Sequence, residues 1–225
     1  MNLAIAYLIV ALLEIASEVT GNQLLKFISK PLLMPVLMLF YYSNISKPIS
    51  SFHKKFLIAF FFSWLGDVFL MIPFNQEIFF LLGLGSFLVA HILYAVCFAN
   101  VNFKNNEALL PKKFWVLVPL LAYFILLLYS FFGNVPGEMK GPVAVYSLAI
   151  ATMVVFAVNR YGRVNEKSFA LAFAGALLFM FSDSIIALNK FLFDGNLFLS
   201  GFWIMVLYIS GQYLIAKGAL EQGAE

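Results

Sequence analysis

The sequence predicts an all-α, polytopic membrane protein with about eight transmembrane helices. Of its 225 residues, 63% are hydrophobic and 11% are charged, whereas soluble domains are roughly 45–50% apolar and about 25% charged. Apolar stretches of about 20 residues, the length that crosses a hydrocarbon core of roughly 30 Å, recur along the whole chain. These stretches leave no room for a soluble domain, so residues 1–225 are expected to form a single transmembrane domain.

Apolar runs bounded by Pro, Gly, Asn and charged residues define the predicted helices. They cover residues 3–20, 24–43, 55–72, 78–100, 114–132, 141–158, 168–188 and 197–216. The second helix is the least regular, because Lys26, Lys30, Pro31 and Pro35 lie in its first half. If it began only at Pro31, it would be too short to cross the membrane without distortion.

The first predicted helix is interpreted as a membrane span rather than as a secretory signal peptide. It lacks a basic n-region, and Glu14 and Glu18 interrupt its apolar part. The single cysteine, Cys97, lies in an apolar segment and cannot form an intrachain disulfide. The net charge of +3 is modest, and no block of basic residues suggests nucleic-acid binding. The sequence carries no signal for an oligomeric state.

Basic residues are concentrated in the loops on one side of the predicted helices. Four of the 14 Lys and Arg residues fall on the other side, and these are Lys26, Lys30, Lys140 and Lys190. Basic residues in short loops favour the cytoplasm. Both termini are therefore expected to be cytoplasmic, in a multi-pass protein of the inner membrane if the source is bacterial.

A weak internal repeat relates residues 1–110 to residues 111–225. The shift that superimposes Asp67 on Asp183 also superimposes Gly85 on Gly201. Two parallel halves of four helices would be related by an axis along the membrane normal. In that arrangement the two aspartates face each other across the axis.

Ionisable residues interrupt the predicted spans, and these are Glu14, Glu18, Asp67, His91 and Asp183. Such a group costs at least about 2.5–3.5 kcal/mol on insertion scales, so it normally faces the bundle interior or a wet cavity. Carboxyl groups desolvated near one another cannot all ionise, so at least one is expected to donate a proton at neutral pH. Lys30 is expected to supply a counter-charge close to Glu18. The alternative is structural, with hydrogen bonds from these groups tying helices together.

Further polar side chains lie beside these groups. They are Ser63 in the third helix, Tyr94 in the fourth, Ser182 and Ser184 in the seventh, and Tyr208 and Gln212 in the eighth. Along the fourth helix, His91 comes out about 20 Å from the outer face, nearer the cytoplasm than the aspartates. Ala172, Ala176 and Ala187 share the face of Asp183, where small residues allow either close helix packing or a narrow slot for an alkyl chain.

Four segments together carry a resemblance to a known family. They are SKPLLMP (29–35), SWLGDVFLM (63–71), GLGSFLVAHILYA (83–95) and FMFSDSIIA (179–187). The combination of Gly-Asp, His-x-x-Tyr and Ser-Asp-Ser in successive helices resembles the YhhN-like family of integral membrane proteins, which includes the lysoplasmalogenases. The resemblance covers nearly the whole chain.

The resemblance implies hydrolysis of the sn-1 vinyl ether bond of lysoplasmalogens within the lipid bilayer. The products would be a fatty aldehyde and a glycerophosphoethanolamine or glycerophosphocholine. It implies Asp67 and Asp183 as the catalytic pair, and it implies supporting roles for Lys30, His91, Tyr94, Ser182 and Ser184. The polar pattern of the spans adds Glu14, Glu18, Ser63, Tyr208 and Gln212 as candidates for substrate binding or support.

The chemistry of vinyl ether cleavage fits a pair of buried carboxyl groups. Protonation of the β-carbon gives an oxocarbenium ion, water attacks this ion, and the resulting hemiacetal collapses to aldehyde and alcohol. A protonated carboxyl supplies the acid, while an ionised one stabilises the cation and orients the water. The sequence leaves open which aspartate plays which part. No cofactor is expected, because a single intramembrane histidine without an HExxH or CxxC motif falls short of a metal site.

Two alternatives remain open from the residues alone. Buried carboxyl groups near a repeat interface also suit a proton-coupled transporter. A related hydrolase acting on an ester or alkyl ether lysolipid would share the same architecture. Serine acyl-enzyme chemistry is not favoured, since no G-x-S-x-G motif occurs. For a hydrolase, the site is expected between the two halves, near mid-membrane and open sideways to lipid.

Overall fold

The structure, a computed structural model, describes residues 2–100 and 109–222. Within them, the long helices are α1 (Leu3–Thr20), α2 (Gln23–Asn44), α3 (Ser51–Met71), α4 (Gln76–Ala99), α5 (Val118–Phe131), α6 (Gly137–Val158), α7 (Glu166–Phe191) and α8 (Ser200–Gln222). A one-turn helix at Leu109–Lys112 and 3₁₀ turns at Phe114–Leu117 and Phe132–Asn134 accompany α5. The described residues contain no strand, and the predicted all-α class is confirmed. Lys104, one of the basic loop residues, lies outside them.

Length and hydropathy identify seven membrane-spanning candidates among the described residues, and α3 is the helix that falls short. Lys54, Lys55 and Asp67 interrupt the apolar sequence of α3. Its 21 residues nevertheless pack alongside α2 and α4. The chain is therefore a multi-pass integral membrane protein, as predicted.

The described helices are arranged as a ring of seven, with α5 outside the ring. Going around the ring, α1, α2, α3, α4, α6, α7 and α8 each pack against the next, and α8 closes against α1. α5 packs on the outside of α6 and α7, and 6% of its spanning window is buried. α5 therefore packs loosely on the outside of the bundle, where α6 and α7 meet.

Both ends of the described chain lie at the same end of the bundle. Tyr7 Oη donates a hydrogen bond to the Ile209 carbonyl at 3.0 Å, and Glu18 packs directly against Gly201. These two contacts show that α1 and α8 are antiparallel. The opposite end, called the distal end below, carries residues 21–22, 72–75, 132–136 and 192–199. Its expected location outside the cytoplasm stays a prediction.

α2 remains helical through both of its prolines. Because Pro35 has no N–H, the carbonyl of Pro31 loses its helical partner. The indole Nε1 of Trp64 donates to this carbonyl at 2.9 Å. A side chain of α3 thereby satisfies the polar group that Pro35 leaves unpaired, as the interior of a membrane requires. α2 therefore begins at Gln23 and is long enough to span, so the possibility that it begins only at Pro31 was wrong.

Small residues bring α7 and α8 into close contact. A Cβ added at Gly175 would lie 2.7 Å from the Gly211 carbonyl, and one added at Gly218 would lie 2.9 Å from the Ala172 Cβ. Glycine and alanine at such positions let the two backbones approach one another. Ala172 and Ala176 are fully buried, so on this part of α7 the small residues serve helix packing.

The proposed internal repeat stays a prediction. α3–α4 and α7–α8 are both closely packed antiparallel pairs, as the repeat requires. The two glycines that it aligns have different surroundings, because Gly201 contacts Glu18 whereas Gly85 faces open space. Gly85 and Gly201 are therefore not equivalent in packing.

Near the end of the bundle that carries the termini, Arg160 joins the loop after α6 to the last two helices. Its guanidinium is fully buried, donates to Ser168 Oγ at 2.7 Å and Gln222 Oε1 at 2.8 Å, and lies over the Phe98 ring. Burial lowers the pKa of Arg160 to about 10. The side chain therefore remains charged at neutral pH and fixes the ends of three elements together.

Candidate functional site

Asp183 lies on α7 at the centre of a small polar cluster. Tyr146 Oη, on α6, donates a hydrogen bond to Asp183 Oδ2 at 2.5 Å. His91 Nε2, on α4, is 3.5 Å from the same oxygen, the far limit of hydrogen-bond distance. The other oxygen, Oδ1, has no hydrogen-bond partner in the part of the chain that the structure describes. Three helices therefore converge on one carboxyl group and leave one of its oxygens available.

The side chain of His91 reaches Asp183 from α4, although His91 was expected to lie nearer the cytoplasm than the aspartates. Its imidazole is fully buried, with the Phe179 ring at 4.6 Å and the Tyr146 ring at 5.3 Å between centroids. Phe179 lies one turn from Asp183 toward the end of the bundle that carries the termini, so His91 lies toward that end and reaches Asp183 through its side chain. The cytoplasmic location of that end stays a prediction. The observed contact follows from how α4 packs against α6 and from the position of α7 beside them.

Asp183 and Tyr146 line an elongated cavity between α4, α5, α6 and α7. Its empty volume is about 650 Å³, part of it open to the surroundings. The wall is largely apolar, and its members from α4, α5 and α7 include Phe80, Phe87, Phe124, Phe131, Met180, Ala187 and Phe191. Pockets that are mostly apolar with a few convergent polar groups are typical binding sites for small molecules. Ala187 lines the cavity, so this alanine opens space instead of packing against a helix.

The two serines that flank Asp183 point in different directions. Ser184 lines the cavity and accepts a hydrogen bond from Tyr123 Oη of α5 at 2.7 Å. Ser182 donates to the Ile204 carbonyl at 3.0 Å and so faces α8. Ser184 therefore helps to hold the peripheral helix over the cavity, whereas Ser182 supports packing of α7 against α8.

Asp67 heads a second cluster, which joins α3 to α8. Tyr208 Oη donates to Asp67 Oδ2 at 2.6 Å, and one turn away Gln212 Nε2 donates to Ser63 Oγ at 3.1 Å. Tyr94 Oη of α4 donates to Gln212 Oε1 at 2.7 Å. Because α3 and α8 are antiparallel, Asp67 lies opposite Tyr208, and Ser63 lies opposite Gln212 one turn further along. All five residues were separate candidates in the sequence, and the structure brings them together.

An aromatic layer separates the two clusters. The Tyr208 ring contacts Phe179 at 5.3 Å and Phe87 at 5.9 Å between centroids, and Phe179 contacts His91. Asp67 is not among the residues that line the cavity. The two carboxyl groups are close enough for their charges to interact, but each is hydrogen-bonded to its own tyrosine. Asp183 reaches the cavity, and Asp67 lies behind the aromatic layer.

The acidic residues of α1 form a third group, near the distal end. Lys26, and not Lys30, pairs with Glu18, at 2.7 Å, so the expected counter-charge at Glu18 was assigned to the wrong lysine. Glu14 is fully buried and accepts a hydrogen bond from Ser29 at 2.6 Å. Lys30 is near enough to Glu14 and Asp67 to interact electrostatically with both.

Sequence reasoning missed two tyrosines that complete the Asp183 cluster. Tyr146 bonds the carboxyl group and Tyr123 bonds the adjacent serine. The signal for both was available, since a tyrosine inside an apolar helix usually finds a hydrogen-bond partner for its hydroxyl. Within the described residues, no three His, Cys, Asp or Glu side chains are grouped closely enough to hold a metal ion.

The arrangement defines the class of protein: a polytopic membrane protein with a carboxyl group presented to an apolar cavity inside the bundle. The chain belongs to the YhhN family, whose sequence profile matches residues 25–219. No solved structure matches this chain.

Two curated relatives are similar to most of the chain. Lysoplasmalogenase TMEM86A of Bos taurus is 31% identical over 170 residues, which cover 74% of this chain and 65% of the relative. Lysoplasmalogenase TMEM86B of Sus scrofa is 32% identical over 137 residues, which cover 61% of this chain and 52% of the relative. The matched regions thus span less than two thirds of each relative's length.

Proposed function

We propose that the protein is a membrane-embedded hydrolase that cleaves the sn-1 vinyl ether bond of lysoplasmalogens. The observation that carries the proposal is that Asp183 lines an apolar cavity and that one of its carboxyl oxygens has no hydrogen-bond partner among the described residues. A vinyl ether is cleaved by protonation at carbon, which requires an acid beside a site that accepts an alkyl chain. The names of the two relatives support the same substrate class.

In this proposal Asp183 is the general acid. Its proton passes from Oδ1 to the β-carbon of the vinyl ether, whose π electrons form the new C–H bond, and the α-carbon becomes an oxocarbenium ion. Tyr146 holds Oδ2 by its hydrogen bond, with His91 beside the same oxygen at 3.5 Å, so that Oδ1 faces the substrate. Water then adds to the α-carbon, and its proton returns to the Asp183 carboxylate. The hemiacetal hydroxyl then loses its proton and the glycerol oxygen gains one as the bond between this oxygen and the α-carbon breaks, which releases aldehyde and alcohol.

Asp67 is proposed as the second, ionised carboxyl group. Its negative charge, one aromatic layer away, stabilises the oxocarbenium ion through the low-dielectric interior, where charges interact more strongly than in water. Tyr208 Oη donates a hydrogen bond to Asp67 Oδ2 at 2.6 Å. Asp67→Asn keeps the acceptor for Tyr208 but removes the charge, so it should lower kcat by about a hundredfold while leaving the thermal unfolding temperature in detergent unchanged.

Substrate entry is proposed to occur sideways from the bilayer, past α5. Two apolar grooves flank this helix, with empty volumes of about 1340 and 1360 Å³. Phe124 belongs to both the first groove and the cavity, and Met180 belongs to both the second groove and the cavity. An alkenyl chain that lies along α5 could therefore place its ether bond at Asp183.

The test is product analysis with purified protein in detergent, where no ion gradient exists. A lysoplasmalogen and the ester lysolipid of the same chain length are incubated in parallel and analysed by mass spectrometry. The proposal predicts fatty aldehyde from the vinyl ether and no product from the ester. Release of fatty acid from the ester would mean that the substrate is an ester lysolipid and not a lysoplasmalogen. No turnover of either lipid would favour a proton-coupled transporter.

A further inference from the structure

A polar pocket lies at the distal end, directly beyond the apolar cavity. Its empty volume is about 820 Å³, and it is lined by Glu77, Asn134, Pro136, Met139, Lys190, Phe191, Leu192 and Asp194. Three of these side chains carry charge, one positive and two negative. Phe191 lines both this pocket and the cavity, so the two spaces share a wall.

The shared wall is aromatic. The Phe191 ring stacks on Phe131 at 5.9 Å and meets Phe80 edge to face at 6.2 Å. All three rings line the apolar cavity. A molecule that occupied both spaces would have its polar end in the pocket, on the distal side of these rings, and its apolar part in the cavity.

Lys190 is held at this wall without an acidic partner. Its Nζ lies 4.2 Å from the centre of the Phe80 ring and 5.9 Å from that of Phe191. Among residues 2–100 and 109–222, no carboxylate lies within ion-pair distance of this ammonium group. A half-buried cation with aromatic neighbours and no counter-ion is available to an anionic ligand.

Asp194 lines the pocket from the loop that follows α7. The Gly195 amide donates to the Asn189 carbonyl at 2.7 Å, and the Leu197 amide donates to Asn189 Oδ1 at 3.0 Å. These bonds hold Asp194 in the left-handed region, at φ 48°. Asp194 and Glu77 line the same pocket as Lys190, and neither forms an ion pair with it.

The spacing along α7 connects the pocket to the site. Asp183 and Lys190 are seven residues apart, which places them on the same helix face and about 10 Å apart along the axis. Ala187 lies between them and leaves space. In a lysoplasmalogen, seven bonds separate the phosphorus from the β-carbon of the vinyl ether, a comparable distance when extended.

We propose that this pocket binds the zwitterionic headgroup of a single-chain phospholipid, with the phosphate at Lys190 and the ammonium group at Asp194 and Glu77. The inference rests on the proposed function, because it assigns the headgroup end of the same substrate. The glycerol then passes the aromatic wall beside Ala187, the ether bond lies at Asp183, and the chain leaves along α5. The headgroup pocket thus sets how deep the substrate enters.

The test measures binding, so that it does not depend on turnover. The probe is 1-O-hexadecyl-lysophosphatidylethanolamine, a saturated ether that cannot form the oxocarbenium ion, and its phosphate-free counterpart is 1-O-hexadecylglycerol. In nanodiscs, Lys190→Gln should weaken binding of the first probe by about tenfold and leave the second unchanged. Lys140→Gln, at the same end but outside the pocket, should change neither. Equal affinity of Lys190→Gln and wild type for the phospholipid would overturn the proposal, as would equal weakening of both probes.

A second variant tests whether the pocket binds the ammonium group of the headgroup. Asp194→Asn keeps a residue that tolerates the left-handed backbone, and it should weaken the ethanolamine probe but not 1-O-hexadecylglycerol 3-phosphate. If neither affinity changes, the assignment of Asp194 is wrong. If the probes bind as expected and no vinyl ether is cleaved, the headgroup pocket stands and the proposed function fails.

Discussion

Tyr146 Oη and Asp183 Oδ2 are 2.5 Å apart, which makes this the shortest side-chain hydrogen bond among the described residues. It joins α6 to α7 across the wall of the apolar cavity. It also fixes which oxygen of Asp183 is available to a ligand. The proposed acid therefore depends on a residue contributed by a neighbouring helix.

Removing the Tyr146 hydroxyl should impair catalysis more than binding. In Tyr146→Phe the ring stays, but Oδ2 loses its donor, so the proton on Asp183 is no longer directed to Oδ1. We expect kcat for the lysoplasmalogen to fall by about tenfold to a hundredfold, with KM little changed. Tyr42→Phe is the matched control, because Tyr42 is 42% exposed on α2 and lines neither the cavity nor the grooves beside α5. Equal kcat for both variants would show that the bond has no part in the reaction.

The hydrogen bond from Trp64 to Pro31 should stabilise the fold without affecting the reaction. Trp64→Phe leaves the Pro31 carbonyl without a partner, which should cost about 1 kcal/mol of unfolding free energy. The readout is the thermal unfolding temperature in detergent, together with turnover per folded molecule, which should not change. Trp203→Phe serves as the control, since this indole is 50% exposed. A Trp64 variant as stable as the control would contradict the role given to this bond.

The contact between Gly175 and Gly211 should tolerate no added methyl group. A Cβ at Gly175 meets backbone atoms of α8 at 2.7 and 2.8 Å, so Gly175→Ala must separate the helices, at a cost of about 1–3 kcal/mol. Gly85→Ala is the matched substitution, because it adds the same methyl group inside a helix with nothing within 4 Å. It should be neutral or slightly stabilising, since alanine favours helix by about 1 kcal/mol over glycine. Unfolding curves of the two variants should therefore move apart, and a Gly175 variant that unfolds like Gly85→Ala would be inconsistent with the observed packing.

Helix order and the inward polar residues could be predicted from the sequence. Apolar length and boundary residues predicted each helix, because crossing the membrane requires both. The Asp67 cluster was also predictable in composition, since Ser63, Tyr94, Tyr208 and Gln212 are polar side chains in apolar helices. Such residues must find partners inside the bundle.

The geometry around Asp183 could not be predicted in the same way. Periodicity assigns a residue to a helix face but does not give the height of one helix relative to another, so the contact between His91 and Asp183 does not follow from the sequence. It also does not reveal that α5 lies outside the ring. The cavity exists because α5 covers the joint of α6 and α7 loosely, and this is a property of packing between helices that are distant in sequence.

The most direct test of the central claim compares aldehyde release by Asp183→Asn with release by Glu166→Gln. Both variants change a carboxylic acid to an amide on α7, but Glu166 is exposed in the first turn. With equal amounts of folded protein, the account predicts that Asp183→Asn releases aldehyde from a lysoplasmalogen about a thousandfold more slowly, while Glu166→Gln matches wild type. Aldehyde release by Asp183→Asn at the wild-type rate would contradict the assignment of Asp183 as the proton donor.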